Sequence, residues 1–312
     1  MSKQLHSQTI ALTKAQAQKL QQLLAERSFV FEKKPYTLFA GHLDRLSLTV
    51  YEKGPKLLLQ GRGIEDFITF TLEPEITKVA LLGYEEIHHP EQFSPHFGVD
   101  ESGKGDFLGP LVIAGVYVDE QLAAHFKNQG IRDSKGISSD QKIRALADLI
   151  RSSQTPIERI VITPRTYNRL YGSFKNLNAL LAWGHARVLE NLCQRVPTCS
   201  RALCDQFANA RVLQHALQEK GRQLQLEQRT KAESDYAVAA ASIIAREGFI
   251  NWLEEEGEQL GVPLPKGVSP KVKQIALGLL KERGAAFLPS IAKMHFKTAQ
   301  EIQFMNLSEH LK

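Results

Sequence analysis

Apolar residues recur along this chain with two periods, and the changes between them divide it into elements. Ala17, Leu20, Leu23 and Leu24 follow a helical repeat after Thr13, which predicts a helix to about Arg27 with Thr13 as its N-cap. The period then drops to two. Leu46, Leu48 and Val50 alternate with Ser47 and Thr49, Lys56 to Gln60 follows a Gly54-Pro55 turn, and Phe67 to Leu72 follows Gly61-Arg62-Gly63. A helix and short strands of this kind predict a small α+β unit. From Gly83 to Pro95 the pattern lapses, so the expected organisation is a domain over 1–84, a linker over 85–95 and a larger domain over 96–312.

The larger segment alternates strands with helices. Phe97-Gly98-Val99 leads into Asp100-Glu101-Ser102-Gly103-Lys104-Gly105, and Leu111 to Val118 is β-branched enough to be a strand. Ser138 with Gln141 reads as a capping box for a helix to about Ser152, and Ile157 to Ile162 as a strand. A helical pattern runs from about Lys175 to Gln194 after the basic, aromatic stretch Arg165 to Tyr171. Ala202 to Asp205 is a strand ending in a carboxylate, a helix starts near Ala210, and Gln223 to Gln228 alternates again. Lys231 to Arg246 is almost free of large polar side chains for ten positions, as in a helix buried on most sides, with Glu233 and Asp235 at its N-terminal end. Helices near Pro270 to Arg283 and after Lys297 complete an α/β arrangement.

Composition narrows the classes. At 312 residues and 43% hydrophobic content the chain is long enough for two domains, one with a substantial core. No run reaches the roughly 18 apolar residues of a spanning helix, and the first residues lack a signal-peptide core, so a cytoplasmic location is expected. Cys193, Cys199 and Cys204 have no C-x-x-C spacing and read as plain buried thiols. His88, His89 and His96 fall in or beside a Pro-containing linker and read as solvated. The net charge of +5 suits a polyanionic partner. In the N-terminal unit Lys33, Lys34, Lys53, Lys56 and Arg62 serve either a nucleic-acid platform or the solvated rim of a packing module.

Chemistry concentrates at strand ends. Asp100, Glu101 and Asp205 close predicted strands, and ligands of α/β sheets gather at such ends. With Glu233 they make four carboxylates, whose mutual repulsion calls for hard divalent cations. Taken singly, each has a plainer role: Asp100 and Glu101 as a solvated loop pair, Asp205 as a turn residue, Glu233 as an anion favoured by its helix dipole. Their joint appearance beside Gly103-Lys104-Gly105 favours a site, because glycine amides and a lysine can face a phosphate closely. The spacing is G-x-G-x-x-x-G and the loop opens a strand, which argues against a dinucleotide loop.

Gly98 to Val112, Asp133-Ser134-Lys135, Asn176 to Trp183, Cys204 to Phe207, Lys231 to Ser234 and Ala239 to Arg246 resemble the motifs of bacterial ribonucleases HIII, a branch of the type 2 ribonucleases H. Pro265-Lys266-Gly267 and Lys293 to Lys297 extend the likeness. The resemblance implies an RNase H-like mixed sheet flanked by helices, and a smaller α+β N-terminal domain similar in fold to the TATA-binding protein that holds the substrate. It implies cleavage of the RNA strand of RNA–DNA hybrids to 5′-phosphate and 3′-hydroxyl ends, by a monomer using two Mg²⁺ ions, with Mn²⁺ as the other option. The catalytic and metal-binding positions then fall on Asp100, Glu101, Asp205 and Glu233, and substrate-backbone positions on Gly103, Lys104, Gly105, Ser134 and Lys135. The alternative, incision at single ribonucleotides in duplex DNA as by ribonucleases HII, is opposed by Glu233, where that branch has aspartate, and by the extra N-terminal unit. Tyr167 and Tyr171 read as packing aromatics and His295 as a structural histidine.

Overall fold

Five short strands, one amphipathic helix and a second helical stretch make up the described part of the first unit. The computed structural model describes residues 7–79, 90–131, 134–205, 210–217, 221–229 and 232–310. The chain divides into two compact units, Met1–Pro90 and Glu91–Lys312, and residues 85–89 of the expected linker lie outside the described residues. Strand β1 (Ser7–Ala11), helix α1 (Lys14–Glu26), and strands β2 (Val30–Glu32), β3 (Thr37–Leu43), β4 (Leu46–Tyr51) and β5 (Lys56–Gly61) form an antiparallel sheet ordered β1-β5-β4-β3-β2. Thr13 caps α1 in a reciprocal box with Gln16. Leu48, Val50, Leu57 and Leu59 alternate onto one sheet face and bury Ala17, Leu20 and Leu24 of α1.

Phe67 to Leu72 is not the expected strand. A helix α2 (Ile64–Phe67) continues into a wider helical stretch, Ile68–Thr77, closed by Lys78 N–H donating to Glu73 O at 2.8 Å. Ile64, Phe67, Ile68, Leu72 and Ile76 are buried together, a helical spacing that the alternation of Phe, Thr and Leu in this stretch had masked. The strands β1, β2 and β3 lack an apolar alternation strong enough to predict them.

The second unit is built on a mixed sheet ordered β10-β9-β6-β7-β8. Strands β6 (His96–Ser102), β7 (Leu111–Val118) and β8 (Ile157–Ile162) are antiparallel neighbours, while β9 (Arg201–Asp205) and β10 (Gln225–Arg229) run parallel to β6. Helices α3 (Glu120–Gln129), α4 (Asp140–Ser152), α5 (Pro164–Phe174), α6 (Leu177–Arg195), α7 (Ala210–Ala216), α8 (Tyr236–Leu260), α9 (Pro270–Arg283), α10 (Leu288–Ile291) and α11 (Lys297–His310) surround it. The helix expected from about Lys175 to Gln194 is α6, capped by Asn176 through the amides of Asn178 and Ala179, and the basic, aromatic stretch before it is a separate helix, α5, which ends where Lys175 takes a left-handed φ of 51°. The cap of α4 is Ser139, one place after the expected Ser138. No helix among the described residues is long and apolar enough to cross a membrane.

The sheet separates two cores. Val112, Ala114 and Val116 face α8, whereas Phe97, Val99 and Ile113 face α6. Helix α8 carries Ala237, Ala239, Ala240 and Ala241, all buried, and so lies close to the sheet. At Gly98 a Cβ would fall 2.2 Å from the carbonyl carbon of Ala237, so only glycine permits the approach. Glu247 of α8 accepts from Arg151 of α4 and Arg159 of β8, each at 2.7 Å, which fixes the rotation of the helix about its axis. Overpacking of this kind costs about 1–3 kcal/mol. Gly98→Ala should lower the unfolding free energy by that amount in a urea titration, while Gly105→Ala, whose added methyl meets nothing within 4 Å, should leave it near the wild-type value.

Candidate active site

The last turn of β6 delivers two carboxylates to opposite faces of the sheet. Strand alternation sends Asp100, like Gly98, toward α8, and Glu101, like Phe97 and Val99, toward α6. Asp100 is only 4% exposed. Val99 lies opposite Cys204 in the parallel neighbour β9, so Asp100 and Asp205 follow one place on in adjacent strands. Leu203 packs on Ala232 and Val238, which places its alternate, Asp205, on the α8 face as well.

Glu101 is held from two directions. His185 of α6, fully buried, donates from Nε2 to Glu101 Oε2 at 3.0 Å, and Lys104 Nζ donates to Oε1 at 3.2 Å. Burial alone would raise the Glu101 pKa, but the His185 hydrogen bond and charge, with Lys104, outweigh it and bring the carboxyl down to about 2. Cys204 moves the other way, pushed up to about 12 by burial and by the negative charges of Glu101, Asp100 and Asp205. The thiol at the end of β9 therefore stays protonated.

Glu233 reaches the same region through the start of α8. It lies in the single turn Ala232–Ser234, where the Ala232 amide donates to Asp205 Oδ1 at 3.4 Å. Asp235 then caps α8 by accepting from the amides of Ala237 and Val238. His96, at the far end of β6, donates to Asp235 Oδ1 at 2.9 Å and to Ser94 O at 2.7 Å. It is wholly buried and not solvated as expected, because both ring nitrogens meet acceptors inside the fold. His88 and His89 lie outside the described residues.

The glycine loop has a rigid base and an open tip. Gly103 takes φ +87°, and a Cβ there would meet Pro110 O at 2.2 Å and the Phe249 ring at 2.8 Å. Gly105 is exposed and an added Cβ would meet nothing. Ser134, by contrast, is buried, its Oγ 2.6 Å from Ser242 Oγ and its carbonyl accepting from Arg246. The side chain of Lys135 lies outside the described residues, as does Asp133. Tyr167 is buried and Tyr171 stacks on His295 with centroids 4.4 Å apart.

Among the described residues no three His, Cys, Asp or Glu side chains are drawn into a closed metal-binding group. Like charge holds carboxylates apart, and His185 draws Glu101 to the α6 face. The donor set still fits hard divalent cations: it offers carboxylate oxygens, and its one sulfur is a protonated thiol. His185, His96 and Asp235 organise this site and were not predicted. His185 was the most accessible to reading, since it follows Leu181 by four residues and precedes Leu189 by four on an apolar helical face.

Comparison with known proteins agrees with the motifs. The family model for ribonuclease HII matches residues 97–299. Ribonuclease HIII of Chlamydia felis is 42% identical over 91% of this chain and 93% of its own length, and that of Protochlamydia amoebophila is 42% identical over 92% and 93%. Among solved structures the chain is similar to Bst-RNase HIII in complex with Mn²⁺, at TM-score 0.67 and 27% identity over 96% of this chain and 99% of that one. It is also similar to ribonuclease H3 from Aquifex aeolicus, at TM-score 0.54 and 27% identity over 93% and 100%.

Because the folded Glu101 carboxyl titrates below its ordinary value of 4.5, its ionised form favours the fold. That contribution is complete above pH 4.5 and is lost as pH falls toward 2. His185→Gln should raise the Glu101 pKa in a carboxyl NMR titration and move the acid-side loss of stability to higher pH; an unmoved titration would remove His185 as its cause.

Proposed function

The chain belongs to the ribonuclease HIII family, and on that premise we propose that it hydrolyses the RNA strand of RNA–DNA hybrids with Asp100, Glu101, Asp205 and Glu233 as ligands of catalytic divalent cations. The observation that carries the assignment is that Asp100 and Asp205 end adjacent strands on the α8 face beside the turn of Glu233, next to Glu101 and a glycine loop bearing Lys104. Two Mg²⁺ ions, with Mn²⁺ as the other candidate, supply charge neutralisation at the scissile phosphate and an activated water when bound.

The protein's own groups then have separable tasks. His185 keeps Glu101 ionised and oriented, so its oxygens are acceptors at neutral pH. Asp235 fixes the turn of Glu233 against Asp205. Gly105 leaves room for a sugar–phosphate backbone, and Lys104 brings a point charge to a non-bridging oxygen. Loss of the P–O3′ bond leaves 3′-hydroxyl and 5′-phosphate ends, and the RNA strand is told from DNA by its 2′-hydroxyls and groove shape.

We assign hybrid holding to the N-terminal unit. Lys33, Lys53 and Lys56 are exposed there with Tyr36 and Tyr51, a mixture of cations and aromatic faces that suits a nucleic-acid backbone and its sugars. Glu233 and this unit favour hybrid cleavage over incision at single ribonucleotides.

Asp100→Asn should lower Mg²⁺-dependent hybrid cleavage by about a thousandfold, the rate equivalent of several kcal/mol of lost metal stabilisation, with hybrid affinity largely kept. An unchanged rate would sink the ligand assignment, and faster cutting of a duplex carrying one ribonucleotide would overturn the substrate. Exchanging Lys33, Lys53 and Lys56 for glutamate in the full chain should weaken hybrid binding and flatten its salt dependence by up to about one log unit per lost phosphate contact. Equal affinity and slope would return the unit to a packing role.

A further inference from the structure

The C-terminal segment between α10 and α11 passes beneath the glycine loop. Leu108 bridges Ala292, Gly109 N–H donates to Ile291 O at 2.9 Å, and Lys293 N–H donates to Phe107 O at 2.9 Å. Into this contact the chain places a lysine with no solvent exposure. Its Nζ lies 2.9 Å from Asp106 O and 2.6 Å from Gly109 O, and 5.7 Å from the centroid of Tyr167. Burying an ammonium in an apolar setting is unfavourable, and here burial brings the group down to about 7 despite the nearby charge of Asp106. A Met or Leu of similar volume would avoid that cost, so packing alone does not account for the residue.

What a lysine offers is donors. Either protonation state of the amine keeps at least two N–H groups, enough for both carbonyls. The two carbonyls belong to opposite ends of residues 106–109, so one side chain spans the base of the loop. Asn168 of α5 supports the same segment, donating from Nδ2 to Pro289 O and Ala292 O and accepting from Met294 N–H at Oδ1. On the other side Asp106 Oδ1 accepts from Gly267 N–H at 2.5 Å and Phe107 N–H donates to Gly267 O at 3.1 Å. Residues 106–109 are thus tied on several sides, while Gly105 stands open.

We infer that Lys293 is a positioning residue for substrate binding: by bridging the carbonyls of Asp106 and Gly109 it holds the loop so that Lys104 and the Gly103 and Gly105 amides meet the hybrid backbone already ordered. This rests on the reading that the loop contacts the hybrid. Ordering before binding lowers the entropy lost on association, so the effect falls on KM more than on kcat.

The test compares Lys293→Met, Asn168→Asp and Lys104→Ala in the full chain, by steady-state hybrid cleavage in Mg²⁺ and by amide exchange followed peptide by peptide. Lys293→Met keeps the apolar stem and removes the donors; it should raise KM about tenfold, the equivalent of one lost charged hydrogen bond, with kcat within about twofold. Exchange should quicken over 103–110 and stay unchanged elsewhere in the catalytic unit. Asn168→Asp, half-buried and milder, should show the same pattern at smaller size and carries the test if Lys293→Met does not fold. Lys104→Ala should raise KM without quickening loop exchange; an unchanged KM there would refute the substrate role of the loop itself. If Lys104→Ala raises KM while the clamp variants leave it unaltered, or quicken exchange throughout the unit and lower kcat with it, Lys293 is a structural residue and the inference fails.

Discussion

The approach of α8 to β6 is the constraint on which the catalytic unit depends. A helix of alanines reaches backbone distance from a strand only where the strand offers no side chain, and Gly98 is that place. His96, two residues before it, bonds Asp235, the cap of the same helix. The start of α8 is thereby fixed against β6, and the turn that carries Glu233 is fixed with it. Asp205, at the end of the neighbouring strand, accepts from that turn. Strand pairing sets Asp100 and Asp205 side by side, and the fixed start of α8 brings the turn of Glu233, 133 positions after Asp100, to the same end of the sheet.

Electrostatics then sets what those acids can do. Several carboxylates at one place favour protonation of one another, which would spoil them as cation ligands. The fold opposes this at Glu101 with a buried imidazole and Lys104, and the result is a carboxyl held near 2. Burial, and to a smaller extent the same negative charges, keep Cys204 protonated. The region is rich in carboxylates, with Lys104 bonded to one of them, Glu101.

Much of this was legible in the sequence, for identifiable reasons. Asp100 and Glu101 follow an apolar run and precede glycines, Asp205 ends a short strand, and the alanine helix announces its own burial. The errors have physical causes too. Phe67 to Leu72 satisfies both an alternating and a helical pattern, and burial of Ile64 and Ile76 decides between them. His96 looked solvated beside prolines because its partner, Asp235, lies 139 positions away. The contact of the Ser134 hydroxyl with Ser242 is hidden in the same way, since the two lie 108 positions apart.

The sequence by itself determined most of the periods, the Thr13 cap, the strand-ending carboxylates, the glycine loop and the family, since each depends on residues close together in the chain or on a motif of fixed spacing. Tertiary structure alone decided that Asp100 and Glu101 face opposite sides of the sheet with different partners, that His185 and His96 serve the site from within the core, and that Lys293 lies under the loop. These facts turn on which face of an element meets which neighbour, and a buried polar group takes its role from a partner that only the folded chain brings within hydrogen-bonding distance.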